Sequence, residues 1–310
     1  MLCSPGPRVA LDKDAFSSNR NSRHIYSSCR ATFGLTRPSA ASSTAMTVIV
    51  VEQEQTTKPV TLVSFDVDGT LIQSMGSDAN KLHKECFTAG FKEVFGLDTH
   101  IDTVPHHGGT DPLILIKVLE HHGIPKAEAQ GKLKELEAAM VRHFRQHAER
   151  AGLGLQLLPG VKALLEALQA RGDVATCLVT GNLEPIGWGK MQALGIDHLF
   201  SKPLFGGFGS DFCSGNTLEM WRDRSELVRM AGQRAAQRFE GGIRSSFHVG
   251  DTPMDMQAAI AANCVAVGVT TGVYTRQQLE QCVDGAPPGN VIVLDSLQDL
   301  GQVLKVLQLE

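Results

Sequence analysis

The stretch Val60-Thr61-Leu62-Val63-Ser64-Phe65-Asp66-Val67-Asp68-Gly69-Thr70-Leu71-Ile72 decides how the chain folds. It opens as a short apolar, β-rich run and breaks off in two carboxylates, a glycine and a threonine. A run this brief, ended by turn residues, reads as a buried parallel strand rather than a helix. Side chains alternate along a strand, so Asp66 and Asp68 point to one side if extended backbone persists through Val67. Two acids aimed together repel, and burial raises the cost of both charges, so the pair calls for a cation. Gly69 lets the chain turn sharply there, and open α/β sheets bind ligands at such strand ends. Taken alone, Asp66–Gly69 also admits the reading of an exposed Asp-Gly turn, and the rest of the chain decides against it.

Downstream, the pattern is strand–helix alternation. A helix is expected from Pro159-Gly160 to Arg171-Gly172, with Val161, Leu164, Leu165 and Leu168 on its apolar face. A strand over 174–180 ends in Thr180-Gly181-Asn182, and a helix over 184–194 is closed by Gly195. A strand over 199–205 precedes the glycine-rich run 206–209, and a helix covers 225–239. A strand over 246–249 ends in Gly250-Asp251-Thr252-Pro253-Met254-Asp255, followed by a helix to Asn263. Further strands fall at 265–269 and 291–294. Thr275-x-x-Gln278 and Ser296-x-x-Asp299 have the spacing of capping boxes. Such alternation predicts an α/β fold built on a doubly wound parallel sheet, with its core in 58–72 and 158–310. The segment 73–157 reads differently. Helical spacing over 77–95, 111–122 and 127–150, around a loop at 100–110, predicts an inserted α-helical cap domain. Asp111 before Pro112 is a plausible helix N-cap.

Composition bounds the function. No apolar run approaches the roughly 18 residues of a membrane-spanning helix, so no membrane role is expected. The seven cysteines, Cys3, Cys29, Cys86, Cys177, Cys213, Cys264 and Cys282, are scattered without a Cys-x-x-Cys pair. Neither a disulfide framework nor a zinc knuckle is indicated, which suits a reducing compartment. The first 45 residues hold nine serines and six Lys/Arg against only Asp12 and Asp14. With no uninterrupted apolar core, they read as an organellar transit peptide, chloroplast before mitochondrion, cleaved near Ala40–Met46. Residues 1–57 together form this leader and a polar linker. Beyond residue 45 stand 23 Lys/Arg against 31 Asp/Glu, an acidic body that argues against nucleic acid as a partner.

In a parallel sheet every strand ends at the same edge. Asp66/Asp68, Thr180-Gly181-Asn182 and Asp251/Asp255 can therefore meet at one site although they are far apart in sequence. At this point the chain resembles a known group. Asp66-Val67-Asp68-Gly69-Thr70, Thr180, a later basic residue and Gly250-Asp251-Thr252-Pro253-Met254-Asp255 resemble the four motifs of the haloacid dehalogenase superfamily, over about 60–295. The helical insertion is similar to that group's C1 caps, and Gly108–Pro112 resembles phosphoglycolate-phosphatase-like members.

The resemblance implies roles. Asp66 is the nucleophile that forms an aspartyl-phosphate, and Asp68 is the acid/base. The metal is Mg²⁺, held by Asp66, the Asp68 backbone carbonyl and Asp251, with Asp255 completing the shell directly or through water. Thr180, with Gly181 and Asn182, holds the phosphoryl oxygens. The third motif departs from the group, which has lysine there. Arg224 takes the role in this reading, since guanidinium pairs with both carboxylate and phosphate, and Lys190 is the alternative unless it is simply solvated. Thr110 and Asp111 are candidate substrate contacts on the cap. The histidine pairs His106-His107 and His121-His122 read as solvated cap residues, and Trp188 as packing. The implied activity is a Mg²⁺-dependent phosphatase for a small phosphorylated metabolite, phosphoglycolate first among them. A sugar phosphomutase and a non-catalytic binding protein of the same fold are the rival readings.

Overall fold

A computed structural model describes residues 58–310. The expected leader and linker lie outside the described residues.

Six parallel strands form the central sheet in the order β5-β4-β1-β6-β7-β8. They are β1 Val60–Phe65, β4 Val174–Thr180, β5 Gly206–Phe208, β6 Ile243–Gly250, β7 Val265–Val269 and β8 Val291–Leu294. β1 sits in the middle, paired with β4 on one side and β6 on the other, and both β1 and β4 are buried throughout. That explains their continuous apolar sequence, since helices cover both faces of a parallel sheet. On one face, α5 Val161–Gln169 and α10 Leu300–Val306 supply Leu164, Leu165, Leu168 and Val303 to a core that includes Val63, Phe65 and Phe247. On the other, α7 Met220–Arg238, α8 Pro253–Ala261 and α9 Arg276–Gln281 bury Leu227, Ala231, Met256 and Leu279 against Leu62, Cys177 and Ala266. The doubly wound α/β sheet is as the sequence predicts.

The insertion has α1 Lys81–Phe95, α2 Asp111–His121, α3 Lys126–Gly131 and α4 Leu133–Gln146. Phe87, Phe91, Leu115, Leu136 and Met140 form its apolar centre, joined by Leu183, Ile186 and Met220 of the sheet domain. The segment is not helical throughout. β2 Ile72–Ser74 and β3 Leu155–Leu157 pair antiparallel at its two ends, a short ribbon where the chain enters and leaves the cap. Three residues are too few for a period-two pattern to declare itself.

Four more expectations need correction. The strand expected at 199–205 lies at Gly206–Phe208, in the glycine run itself, after a single helical turn at Asp197–Leu199. Glycine is required there by close approach. A Cβ at Gly206 would lie 2.1 Å from the Leu178 carbonyl, and one at Gly207 2.0 Å from that of Leu227. The expected helix 127–150 is two helices, α3 and α4, meeting at Lys132. α7 begins at Met220 rather than 225, so Arg224 lies more than a turn inside it. Finally, Asp299 is itself the N-cap of α10, accepting from Gln302 N at 3.0 Å, whereas the Thr275–Gln278 box on α9 (Glu184–Ala193 being α6) forms as expected.

Candidate active site

The three central strands deliver the site. Asp66 follows β1, Thr180 ends β4 and Asp251 follows β6, so adjacent strands in the order β4-β1-β6 place all three at one edge. They line a cleft of about 570 Å³ roofed by the cap residues Asn80, His83, Phe87 and His106–Gly109. Its size is in the range of small-molecule sites, which span about 300–1,000 Å³.

On the sheet side, acceptor atoms of Asp66, Asp251 and Asp255 lie within 4.8 Å of one another, all buried. One guanidinium serves them. Arg224 Nη2 forms an ion pair with Asp66 Oδ1 at 2.5 Å, and the guanidinium donates from Nε to Asp255 Oδ1 at 2.5 Å and from Nη1 to the Gly108 carbonyl at 3.0 Å. Three carboxylates against one cation leave surplus negative charge. Burial accordingly pushes Asp66 up to about 7, with Arg224 opposing and Asp255 and Asp68 reinforcing. Burial and the charges of Asp66 and Asp255 push Asp251 up to about 8. Oxygen-only donors with uncompensated charge fit a hard divalent cation such as Mg²⁺. Asp251 is also fenced by backbone, since a Cβ on Gly69 would lie 2.3 Å, and one on Gly272 1.8 Å, from its Oδ2.

Asp255, expected to complete the metal shell directly or through water, is the third carboxylate of this cluster. Its Oδ1 faces Arg224 Nε and, at 3.2 Å, His248 Nε2, while its Oδ2 accepts from Thr252 N at 3.1 Å and Thr252 Oγ1 at 2.6 Å. Those contacts use the four acceptor directions of a carboxylate, so Asp255 meets an ion through water at most. Burial works to raise it, but Arg224, His248 and Thr252 outweigh burial and hold it well below the ordinary range.

The second side of the cleft belongs to Asp68, whose side chain is a third exposed. Lys190, on α6 and 1% exposed, donates to both Asp68 oxygens at 2.9 and 2.8 Å and to Asn182 Oδ1 at 3.0 Å. It also lies 3.3 Å from His83 Nδ1. Asn182 Nδ2 donates to Asp68 Oδ2 at 3.0 Å and to Thr180 Oγ1 at 2.7 Å. The surroundings of Asp68 work to raise its carboxyl, yet Lys190, His83 and Asn182 outweigh them and the net shift is downward.

The structure thus brings both candidate cations to the site. Arg224 meets the nucleophile position, as the sequence reading assigned, and Lys190 is not a solvated residue but the partner of Asp68. The spacing of α6 could not reveal this, because a buried lysine and a surface lysine look alike in one helical turn. Of the two candidate substrate contacts on the cap, Asp111 is among the residues that line the cleft and Thr110 is not. Thr110 is the residue before α2 and lies outside the cleft lining; its Oγ1 has no partner and accepts no helix-capping bond. Asp111 is the first residue of α2 rather than its cap. Its Oδ2 accepts from Leu183 N at 2.9 Å and lies 3.0 Å from His83 Nε2, and its N–H donates to the Gly181 carbonyl at 2.8 Å. It clasps cap to sheet domain. Gly181 permits this approach, for a Cβ there would lie 2.2 Å from the Gly109 carbonyl. His106 and His107, read as solvated cap residues, stack at 4.9 Å along the cleft, His107 exposed and His106 partly so. Trp188 packs on Phe200 and Phe208 as expected.

A family model of haloacid dehalogenase-like hydrolases matches residues 60–263. The chain is 30% identical over 219 residues to a phosphoglycolate phosphatase of Pasteurella multocida, covering 68% of this chain and 86% of that protein. It is 29% identical over 243 residues to one of Pseudomonas putida, covering 77% and 78%. Among solved structures, a predicted phosphatase from Clostridium acetobutylicum superposes with a TM-score of 0.52 at 17% identity, over 80% of this chain and all of that one, a likeness of fold. The chain is a member of the haloacid dehalogenase-like hydrolases, and the relatives it aligns with along most of their length are phosphatases.

Proposed function

We propose that the protein is a Mg²⁺-dependent phosphatase of small phosphomonoesters, with phosphoglycolate as its leading substrate. The observation that carries this reading is the division of the cleft into a carboxylate cluster around Asp66 and a lysine-held carboxylate at Asp68. Mg²⁺, held by Asp66, Asp251 and the Asp68 backbone carbonyl, would neutralise phosphoryl and carboxylate charge. Thr180, Gly181 and Asn182 orient the phosphoryl oxygens. Asp66 attacks phosphorus, the P–O bond to the alcohol breaks, and an aspartyl-phosphate results. The leaving alkoxide takes a proton from Asp68, replenished by the Lys190 ammonium that touches both its oxygens, so the pair acts as one acid. In the second step Asp68 takes a proton from water, which attacks phosphorus and returns Asp66 with release of phosphate. The lowered Asp68 carboxyl suits this base role, and the cap roof limits water while the ester is bound.

Phosphoglycolate rests on the named activity of the relatives. The Ser- and Arg-rich residues 1–45 support a chloroplast address, which fusion of 1–57 to a fluorescent protein tests: diffuse fluorescence would rule it out. The catalytic reading is tested by phosphate release from a panel of phosphomonoesters with and without Mg²⁺, for the chain lacking residues 1–45 and its Asp66→Asn variant. Mg²⁺-dependent release, abolished in the variant and fastest with phosphoglycolate, is expected. Isomerisation of a sugar phosphate without net release would replace the phosphatase by a mutase, and no reaction with any ester would favour a binding protein.

A further inference from the structure

Behind the nucleophile lies a pair of polar residues that the catalytic scheme does not use. Ser64 and His248 are register partners on β1 and β6, in the middle of the sheet, and are 2% and 1% exposed. Their neighbours Val63, Phe65, Phe247 and Val249 are the apolar residues that a strand buried on both faces calls for. A histidine there is costly unless both ring nitrogens are satisfied, and both are. His248 Nδ1 lies 3.1 Å from Ser64 Oγ, which itself donates to the Phe247 carbonyl at 3.1 Å, and Nε2 lies 3.2 Å from Asp255 Oδ1. The Asp255 oxygen that meets His248 is the same one that holds Arg224 Nε, and Arg224 in turn holds Asp66.

We propose that Ser64 and His248 are positioning residues that fix Asp255 and, through it, the guanidinium of Arg224 against the nucleophile Asp66. The inference rests on Asp66 as nucleophile, as read above. The geometry requires it for a simple reason. Asp255 Oδ2 is held by Thr252 within its own turn, whereas Oδ1 is met only from outside that turn, by Arg224 and His248. The contact from His248 comes from the sheet and fixes Oδ1 where Arg224 meets it. Ser64 lies on β1 two residues before Asp66, so β1 carries the first member of the string and leads directly into the residue whose cation that string orients. Nearby groups that bond these atoms are Thr252, Arg224 and the Phe247 carbonyl; none replaces the ring.

The test uses His248→Leu, which keeps bulk without donors, His248→Gln, which keeps an N–H near the Nε2 position, and Ser64→Ala. Each is compared with the wild type for 4-nitrophenyl phosphate hydrolysis at saturating Mg²⁺, for thermal melting, and by crystal structure. Loss of an outer partner of this kind costs about 10–100-fold. His248→Leu is expected to lose kcat in that range with KM within about twofold, His248→Gln to recover most of it, and Ser64→Ala to lose less. In the His248→Leu crystal the Arg224–Asp66 contact is expected to be broken. Should His248→Leu fail to fold, Ser64→Ala carries the test by its smaller kcat loss with KM unchanged, and wild-type kcat in that variant overturns the inference. Wild-type kcat in folded His248→Leu, or an unmoved Arg224, overturns the inference, and so does a Gln variant that melts like wild type yet is as slow as the Leu variant. If the wild type hydrolyses nothing, the catalytic reading has failed, and the Arg224–Asp66 contact in the crystals still decides this one.

Discussion

Asp66 and Asp68 stand two residues apart on one strand end, yet they belong to opposite electrostatic regions. The sheet-side region gathers Asp66, Asp251 and Asp255 around a single guanidinium, and burial leaves Asp66 near 7 and Asp251 near 8. The cap-side region gives Asp68 an ammonium to itself, with His83 and Asn182 in support, and its carboxyl is lowered. The difference is one of charge counting. Where carboxylates outnumber cations, the surplus charge fits a metal ion, and where they are matched, we propose a proton carrier. What separates the surroundings of the two aspartates in this chain is Arg224 on α7 and Lys190 on α6.

The comparison breaks most severely if Lys190 is removed. Lys190→Met should lower kcat for an alkyl phosphate by about 10²–10⁴-fold, the usual worth of general acid–base catalysis, and by far less for 4-nitrophenyl phosphate, whose leaving group needs no proton. Steady-state rates on the two esters check this; equal losses on both would mean that Lys190 only holds the fold.

A smaller effect should come from Gly272→Ala on the sheet side. The added Cβ would meet Asp251 Oδ2 at 1.8 Å, so the carboxylate must turn away. Mg²⁺ affinity should fall about tenfold or more, as displaced metal-site geometry does, with little change at Asp68. Calorimetric titration with Mg²⁺ reads it, and unchanged affinity would remove Asp251 from the metal site.

The smallest effect is on stability, and its sign follows from the raised carboxyls. Asp66 and Asp251 keep their protons in the folded state well above the pH at which the unfolded chain gives them up. The folded state then binds more protons, so metal-free stability falls between about pH 4 and 8. Asp68 and Asp255 are lowered instead, and their contribution is present above about pH 4 and lost only in more acidic solution. Mg²⁺ relieves the first pair by displacing their protons. At a hundredfold excess over its dissociation constant it should raise the melting temperature by about 5–10 °C at pH 8. The rise at pH 5 should be smaller. Differential scanning calorimetry at the two pH values decides, and a larger rise at pH 5 would reverse the charge count.

Much of this was legible in the sequence. The strand ends at Asp66, Thr180 and Asp251 carry their chemistry in short local patterns, and a parallel sheet brings such ends together whatever lies between them. The partners that tune those residues were not legible. Lys190 and His83 sit on ordinary helices, and only the tertiary arrangement brings them to Asp68. His248 reads as a polar break in a strand until Ser64 is found opposite. Asp111 has the spacing of a helix cap, but its carboxylate is drawn instead to Leu183 and His83, a tertiary contact that outcompetes the local one. Gly206 and Gly207 signal a loop by composition, and become a strand because Leu178 and Leu227 press against them.

The most direct test of the two-region account is the first turnover of Asp66→Asn and Asp68→Asn with 4-nitrophenyl phosphate and Mg²⁺, followed by stopped flow. The account predicts that Asp68→Asn releases a burst of one nitrophenolate per site and then stalls, because the phosphoryl group is on Asp66 and the base for water is gone. Asp66→Asn should give no burst at all. A burst from Asp66→Asn, or steady wild-type turnover by Asp68→Asn, would contradict the division of labour between the two aspartates.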